Sequence, residues 1–128
     1  LYATSGSAGL DLRAHLGKEV LIEPWSRVVV NTGVRLAIPD GYEGQVRPRS
    51  GLAFRHGITL LNAPGTIDSD YRGEIQVIMM NASDEPYAVR PGDRIAQLII
   101  APVVRADLVA VEFEGTARGE GGFGSTGR

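Results

Sequence analysis

Short apolar runs broken by turn residues set the pattern of this chain. Residues 10–14, 20–22, 28–30, 34–38, 43–47, 58–61, 74–81, 95–104 and 108–113 are rich in aliphatic and β-branched side chains. Each has the length and composition of a strand, and Pro39-Asp40-Gly41, Ala63-Pro64-Gly65 and Arg90-Pro91-Gly92 supply turns between them. The pattern predicts about nine or ten strands. One helix is expected: Ser50 caps a turn or two through Gly51, Leu52, Ala53 and Phe54, and Gly57 stops it. Its free N–H groups would suit an anion. Many short strands with almost no helix predict an all-β fold, while periodicity leaves sandwich, barrel and jelly roll open. There is no repeat of solenoid or propeller period.

The end of the chain departs from this pattern. Residues 115–128 hold six glycines and one large apolar residue, Phe123, so they form neither a strand nor a helix of their own. The reading is a body of residues 1–114 followed by a flexible segment of 115–128. Such a tail is ordinarily a plain disordered terminus. A mobile lid is the alternative, because Arg118, Phe123, Ser125, Thr126 and Arg128 are odd choices for a linker.

Composition narrows the chemistry. The 128 residues suffice for one domain, and 43% hydrophobic with 22% charged residues describes a chain that folds around a core. A formal net charge of −2 offers no broad attraction to nucleic acid or an anionic membrane, so a polyanionic ligand must be met by local groups. The absence of cysteine excludes disulfides, a thiolate nucleophile and Cys-held zinc, and two distant histidines make no histidine-rich metal site. A hard metal held by oxygen remains. No run approaches the ~20 apolar residues of a membrane span, and the first residues lack the order of a signal peptide, so cytoplasmic residence is expected. The chain opens without methionine, which leaves room for native residues before Leu1, including a first strand. Glycine, 17 of 128 residues or about 13%, is roughly double its usual ~7% and implies tight turns or close backbone approaches.

Four segments carry candidate chemistry. In RPRSGLAFRHG (47–57), Arg49, Ser50 and the Gly51 backbone combine cation, hydroxyl and free N–H groups, which fits a phosphate as well as a solvated turn. NAPGTIDSDYRGEIQV (62–77) looks like a β-hairpin whose bend carries Asp68 and Asp70. These are either local hydrogen-bond acceptors or a catalytic carboxylate, and Tyr71 is either packing or a ligand contact. Asp11, between two leucines in a strand, must point away from them toward water, an ion or a partner. PGDRIAQLII (91–100) offers Gln97 to a phosphate, with Asp93 and Arg94 as a possible structural ion pair.

In order and spacing these segments resemble the five motifs of the trimeric dUTPase family: AGLDLRA (8–14), RPRSGLA (47–53), GTIDSDYRGE (65–74), PGDRIAQL (91–98) and RGEGGFGSTG (118–127). The resemblance implies a jelly-roll (β-clip) subunit and a homotrimer whose active sites each draw motifs from all three chains. It implies hydrolysis of dUTP to dUMP and pyrophosphate with Mg2+. Asp11 would hold a water on the metal, and Arg49, Ser50, Gly51 and Gln97 would bind phosphates. Asn62, Gly65, Thr66, Ile67 and Tyr71 would receive deoxyuridine, and Asp68 would orient and deprotonate the attacking water. Arg118, Phe123, Gly124, Ser125 and Thr126 would close over the nucleotide. A dCTP deaminase would share the fold and the triphosphate site, but the GTIDSDYRGE segment argues against it. Intact Asp11, Asp68 and Arg118 argue against a non-catalytic nucleotide-binding regulator.

Overall fold

Strands as short as three residues survive only where neighbours complete their backbone hydrogen bonds and one face is buried. The computed structural model describes residues 2–125. In chain order it contains β1 (Leu10–Arg13), β2 (Val20–Ile22), β3 (Arg27–Asn31), β4 (Tyr42–Arg47), α1 (Ser50–His56), β5 (Ile58–Leu60), β6 (Gly65–Ile67), β7 (Gln76–Asn81), β8 (Tyr87–Val89) and β9 (Arg94–Pro102). They form a four-stranded sheet in the order β1-β9-β4-β6, a three-stranded sheet β3-β7-β5 and a two-stranded sheet β2-β8. Every pairing is antiparallel. The architecture is the all-β jelly roll expected from the sequence.

The core lies between these sheets. Val30, Val77 and Met79 of the three-stranded sheet, Ile22 and Val89 of the two-stranded one, and Ile95, Ala96 and Leu98 of β9 are buried together with Ile58 and Ile75. Each fully buried large aliphatic side chain contributes roughly 1.5–3 kcal/mol of transfer free energy. β9 is the longest strand, nine residues, and it pairs with β1 on one side and β4 on the other.

Four features differ from the sequence pattern. Residues 34–38 do not form a strand: Val34 and Leu36 pack on the core and Ile38 is buried, but the backbone contact with a neighbour is a bond from Ile75 N–H to the Val34 carbonyl at 2.9 Å. Residues 108–113 are not a strand either, and Leu108 and Phe113 are 96% and 95% exposed. Conversely β6 and β8, three residues each, did not stand out from the turns around them. α1 begins where expected, but Arg49 is its N-cap and makes no side-chain cap bond, so the Ser50 hydroxyl is not used as a cap. Gly57 ends it in the left-handed conformation at φ 65°.

One polar residue is fully buried where the β2–β3 and β7–β8 connections meet. Asn81 donates from Nδ2 to the carbonyls of Ile22 (3.0 Å) and Glu85 (2.7 Å), and its Oδ1 accepts from the Ser83 N–H (3.0 Å) and hydroxyl (2.7 Å). Its carbonyl accepts from Trp25 N–H at 2.8 Å. Asn81→Ala leaves several buried groups without partners, and the expected cost is about 2 to 4 kcal/mol, read as a lowered urea midpoint at equal protein concentration. An unchanged midpoint would remove Asn81 from the set of structural determinants.

Candidate functional site

Strand register assembles the first half of the site. Asp11 of β1 and Arg47 of β4 are both register partners of Gln97 on β9, so the three form one row across the sheet. The adjacent row is Leu10, Leu98, Val46 and Gly65, with Leu98 and Val46 buried. Because successive side chains of a strand point to opposite faces, burying the second row turns the first away from the core. Asp11 then meets two guanidinium groups: Oδ1 lies 3.6 Å from Arg49 Nε and Oδ2 3.4 Å from Arg94 Nη1. Arg49 also donates to the Arg94 carbonyl at 3.0 Å. Gln97 donates to the Pro48 carbonyl at 2.9 Å, just before Arg49 and the start of α1 at Ser50 and Gly51.

The second half is a cleft of about 300 Å³. Residues 62–77 are not the two-stranded hairpin their sequence suggests. β6 leaves to pair with β4 in the four-stranded sheet, and the chain returns as β7, which pairs with β3 and β5. The cleft opens where these two sheets part, between β6 and β7. Asn62, Gly65, Thr66, Ile67, Asp68 and Tyr71 all line it, over an apolar floor that includes Val46, Leu60, Ile75 and Val77. β6 is the edge strand of its sheet, so its outer backbone groups have no strand partner among the described residues. The bend is held locally: Tyr71 N–H donates to the Asp68 carbonyl at 3.1 Å, Arg72 Nη1 to the Ser69 carbonyl at 2.6 Å, and the Tyr71 hydroxyl to the Glu74 carbonyl at 2.9 Å. Asp68 is exposed and also borders a second cleft of about 520 Å³ with Asp40, Glu43, Asp70 and Arg105.

The structure therefore groups Asp11, Arg49 and Gln97, and separately groups the six residues of the cleft. None of Asp11, Arg49, Ser50, Gly51 or Gln97 lines the cleft. Sequence reasoning missed two participants. Arg94 joins Asp11, 83 residues away in sequence, whereas Asp93, its expected ion-pair partner, accepts instead from Arg90 N–H at 2.8 Å. Glu74 lines the cleft and its Oε1 accepts from Gly33 N–H at 2.7 Å. Arg118, Phe123, Gly124 and Ser125 lie apart from both halves: Arg118 donates to Gly121 and Ser125 N–H to Gly122, within their own segment. Thr126 lies outside the described residues.

Among the described residues, no three His, Cys, Asp or Glu side chains cluster as a metal cage. The donor set still fits Mg2+, a hard cation that keeps its waters and takes one or two carboxylates together with substrate phosphates. Asp11 is such a carboxylate, one-fifth exposed, and an ionised carboxylate has more lone pairs than its contacts with Arg49 and Arg94 occupy.

A family model described as dUTPase matches residues 1–127. The deoxyuridine 5'-triphosphate nucleotidohydrolase of Syntrophotalea carbinolica is 60% identical over 127 residues, covering 98% of this chain and 86% of the relative. That of Anaeromyxobacter sp. is 60% identical over 128 residues, covering 99% and 86%. The solved dUTPase of Staphylococcus bacteriophage 80alpha with dUPNHPP superposes with a TM-score of 0.88 at 29% identity, over 100% of this chain and 90% of that one. A variant dUTPase of S. aureus phage phi11, described with a structural Mg(II) ion, gives 0.78 at 25% identity, over 88% of each chain.

Tyr87 lies beside α1, its ring 5.1 Å from that of His56. Burial, and secondarily the charge of Asp93, raises its phenol above the usual value of 10.0, while Arg49 and Arg90 pull the other way. The folded state thus holds this proton more tightly than the unfolded chain. Its contribution to stability is complete below pH 10.0 and is lost as pH climbs from there through the higher folded value. Tyr87→Phe should flatten the loss of stability above pH 10.0, measured as urea midpoints on both sides of that value. Equal slopes in the two proteins would show that Tyr87 contributes nothing there.

Proposed function

The chain belongs to the dUTPase family, and from that premise we propose that it hydrolyses dUTP to dUMP and pyrophosphate as a homotrimer with sites shared between subunits. The observation that carries the reading is the cleft: every residue assigned to deoxyuridine lines it, and it opens along an edge strand. Unpaired N–H and C=O groups of β6 suit the alternating acceptors and donors of uracil. Cytosine would reverse one donor–acceptor pair and leave buried polar groups unmatched. Tyr71 lies under the sugar, where its ring favours deoxyribose and leaves no room for a 2′-hydroxyl.

Asp68, at the cleft's edge, orients a water and takes its proton as that water attacks the α-phosphorus. Arg49, Ser50, Gly51 and Gln97 hold the phosphates, and the guanidinium charge favours the anionic transition state. Asp11 would hold Mg2+ through water, and the ion, when bound, offsets triphosphate charge. No side-chain nucleophile is required. Removing dUTP limits uracil incorporation into DNA, and the product dUMP feeds dTMP synthesis. The proposal includes cytoplasmic residence, where the free nucleotide pool lies. Among the described residues no helix is long and apolar enough to cross a membrane.

Two observations support the trimer. Among the described residues, Arg49, Ser50, Gly51 and Gln97 do not line the cleft, and residues 103–113 expose Val104, Leu108, Val109, Val111 and Phe113. Closed threefold symmetry would bring the phosphate residues of one chain to the cleft of the next and cover the apolar arm. Residues 1–114 then form the body, and 115–128 act as the lid. Arg118, Ser125 and Thr126 meet the terminal phosphates, Gly124 allows close approach, and Phe123 stacks on uracil. Ordering those glycines costs roughly 1–2 kcal/mol per residue, which contacts with bound nucleotide offset.

With Mg2+ and each of dUTP, dCTP, dTTP and UTP, pyrophosphate should appear from dUTP alone, without deamination of dCTP. Asp68→Asn should retain nucleotide affinity while turnover falls on the order of 10² to 10⁴-fold; near-normal turnover would assign the base elsewhere. Sedimentation at micromolar concentration should give the mass of three chains, and a monomer would overturn the shared site.

A further inference from the structure

Motif 65–74 contains a glycine with no role so far. Gly73 is half-buried, and its φ lies outside the left-handed region, so its backbone conformation is open to any L-residue. What excludes a side chain is the ring of Tyr71. A Cβ built at position 73 would overlap the Tyr71 hydroxyl and Cζ and stand 2.8 Å from Cε2, where real Cβ atoms keep more than 3.0 Å. Apart from the flanking residues 72 and 74, no other residue comes as near to that point.

The ring is fixed there from two further directions. Its hydroxyl donates to the Glu74 carbonyl at 2.9 Å, and its backbone N–H donates to the Asp68 carbonyl at 3.1 Å. Tyrosine has two side-chain torsions, and with the backbone pinned to Asp68 the ring can yield only by swinging about them. Among the residues lining the cleft, Tyr71 is the one whose ring is laid back over its own chain in this way. A methyl group at 73 would break the bond to Glu74 and push the ring out of its place beside the cleft.

We propose that Gly73 is a specificity-determining position: its missing side chain is the socket that sets the Tyr71 ring, and through the ring the choice of deoxyribose over ribose. The inference rests on the assignment of Tyr71 to the sugar. Gly73 touches no substrate and acts as a positioning residue. A swung ring opens space for the 2′-hydroxyl, so the consequence falls on UTP and not on the phosphates or the attacking water.

The test is a double-mutant cycle on the full chain with Mg2+, reading kcat/KM for dUTP and for UTP in Gly73→Ala, Tyr71→Ala and the double variant. Taking the ratio of the two substrates on one preparation cancels any inactive fraction. Gly73→Ala should lower the dUTP-to-UTP preference about tenfold or more, as expected for a misfitted group in a sugar pocket. Tyr71→Ala should lower it comparably, and adding Gly73→Ala to Tyr71→Ala should change it no further. If Gly73→Ala alone fails to fold, recovery of folding in the double variant supports the socket, and failure of the double overturns it. A preference kept in Gly73→Ala but lost in Tyr71→Ala overturns the socket alone. A preference kept in Tyr71→Ala overturns both the socket and the sugar assignment. Equal losses from Gly73→Ala with and without the tyrosine ring would place the effect in the backbone and overturn the socket.

Discussion

The two-sided pairing of β9 is the constraint on which the site depends. With β1 on one edge and β4 on the other, a single register decides which residues of three strands share a row. Burial of the row through Leu98 and Val46 forces the neighbouring row, Asp11, Gln97 and Arg47, to the other face. A slip of one residue would exchange the rows, placing a carboxylate and a guanidinium in the core at a cost far above that of a misplaced aliphatic. The hydrophobic core therefore fixes polar geometry without any polar group having to fix it. The ion pairs of Asp11 with Arg49 and Arg94 are a consequence of that register, and partly exposed pairs of this kind add little stability of their own.

The cleft follows from a second constraint, the failure of β6 and β7 to pair with each other. β6 continues the sheet of β4 and β9, while β7 is the centre of the other sheet. The chain between them must cross from one sheet to the other, and the space left at the crossing becomes the cleft, floored by core residues and edged by unpaired backbone. This suits recognition of a base by main-chain groups. Such groups stand on a strand whose other edge is already locked, so little freedom is lost on binding.

Much of this was legible in the sequence because burial imposes period two. Asp11 between Leu10 and Leu12 had to leave the core, and it does. The runs at 20–22, 28–30, 43–47, 58–61 and 95–104 became strands because their apolar positions find partners within the chain. Apolar patterning cannot say whether a partner exists, which is why 34–38 packs without a ladder and the apolar side chains of 108–113 stay exposed among the described residues. β6 escaped notice because Gly65-Thr66-Ile67 has hardly any pattern, and its strand character comes from β4. Local sequence suggests a local pair of Arg94 with Asp93; the register across β1 and β9 selects Asp11 instead. Gly73 gave no signal, because a glycine required by a neighbouring ring looks the same as one required by a turn.

Residues 103–113 are where the physics of one chain stops being sufficient. The Val103 N–H still donates to the Gly41 carbonyl at 2.9 Å. Beyond it Val104, Leu108, Val109, Val111 and Phe113 lie on the surface, whereas the same kinds of residue elsewhere in the chain form the core. A solvated segment has no physical need of such apolar content; glycine, serine and charge would keep it soluble, as residues 115–125 illustrate. Apolar side chains at this density are explained by burial against a surface the single chain does not contain. The proposed site makes the same demand for a second surface, because Asp11, Arg49 and Gln97 do not line the cleft between β6 and β7. The proposed threefold rotation would seat the arm of each chain on its neighbour, and Arg49 and Gln97 of each chain at its neighbour's cleft, meeting both demands where two unrelated contacts would otherwise be needed.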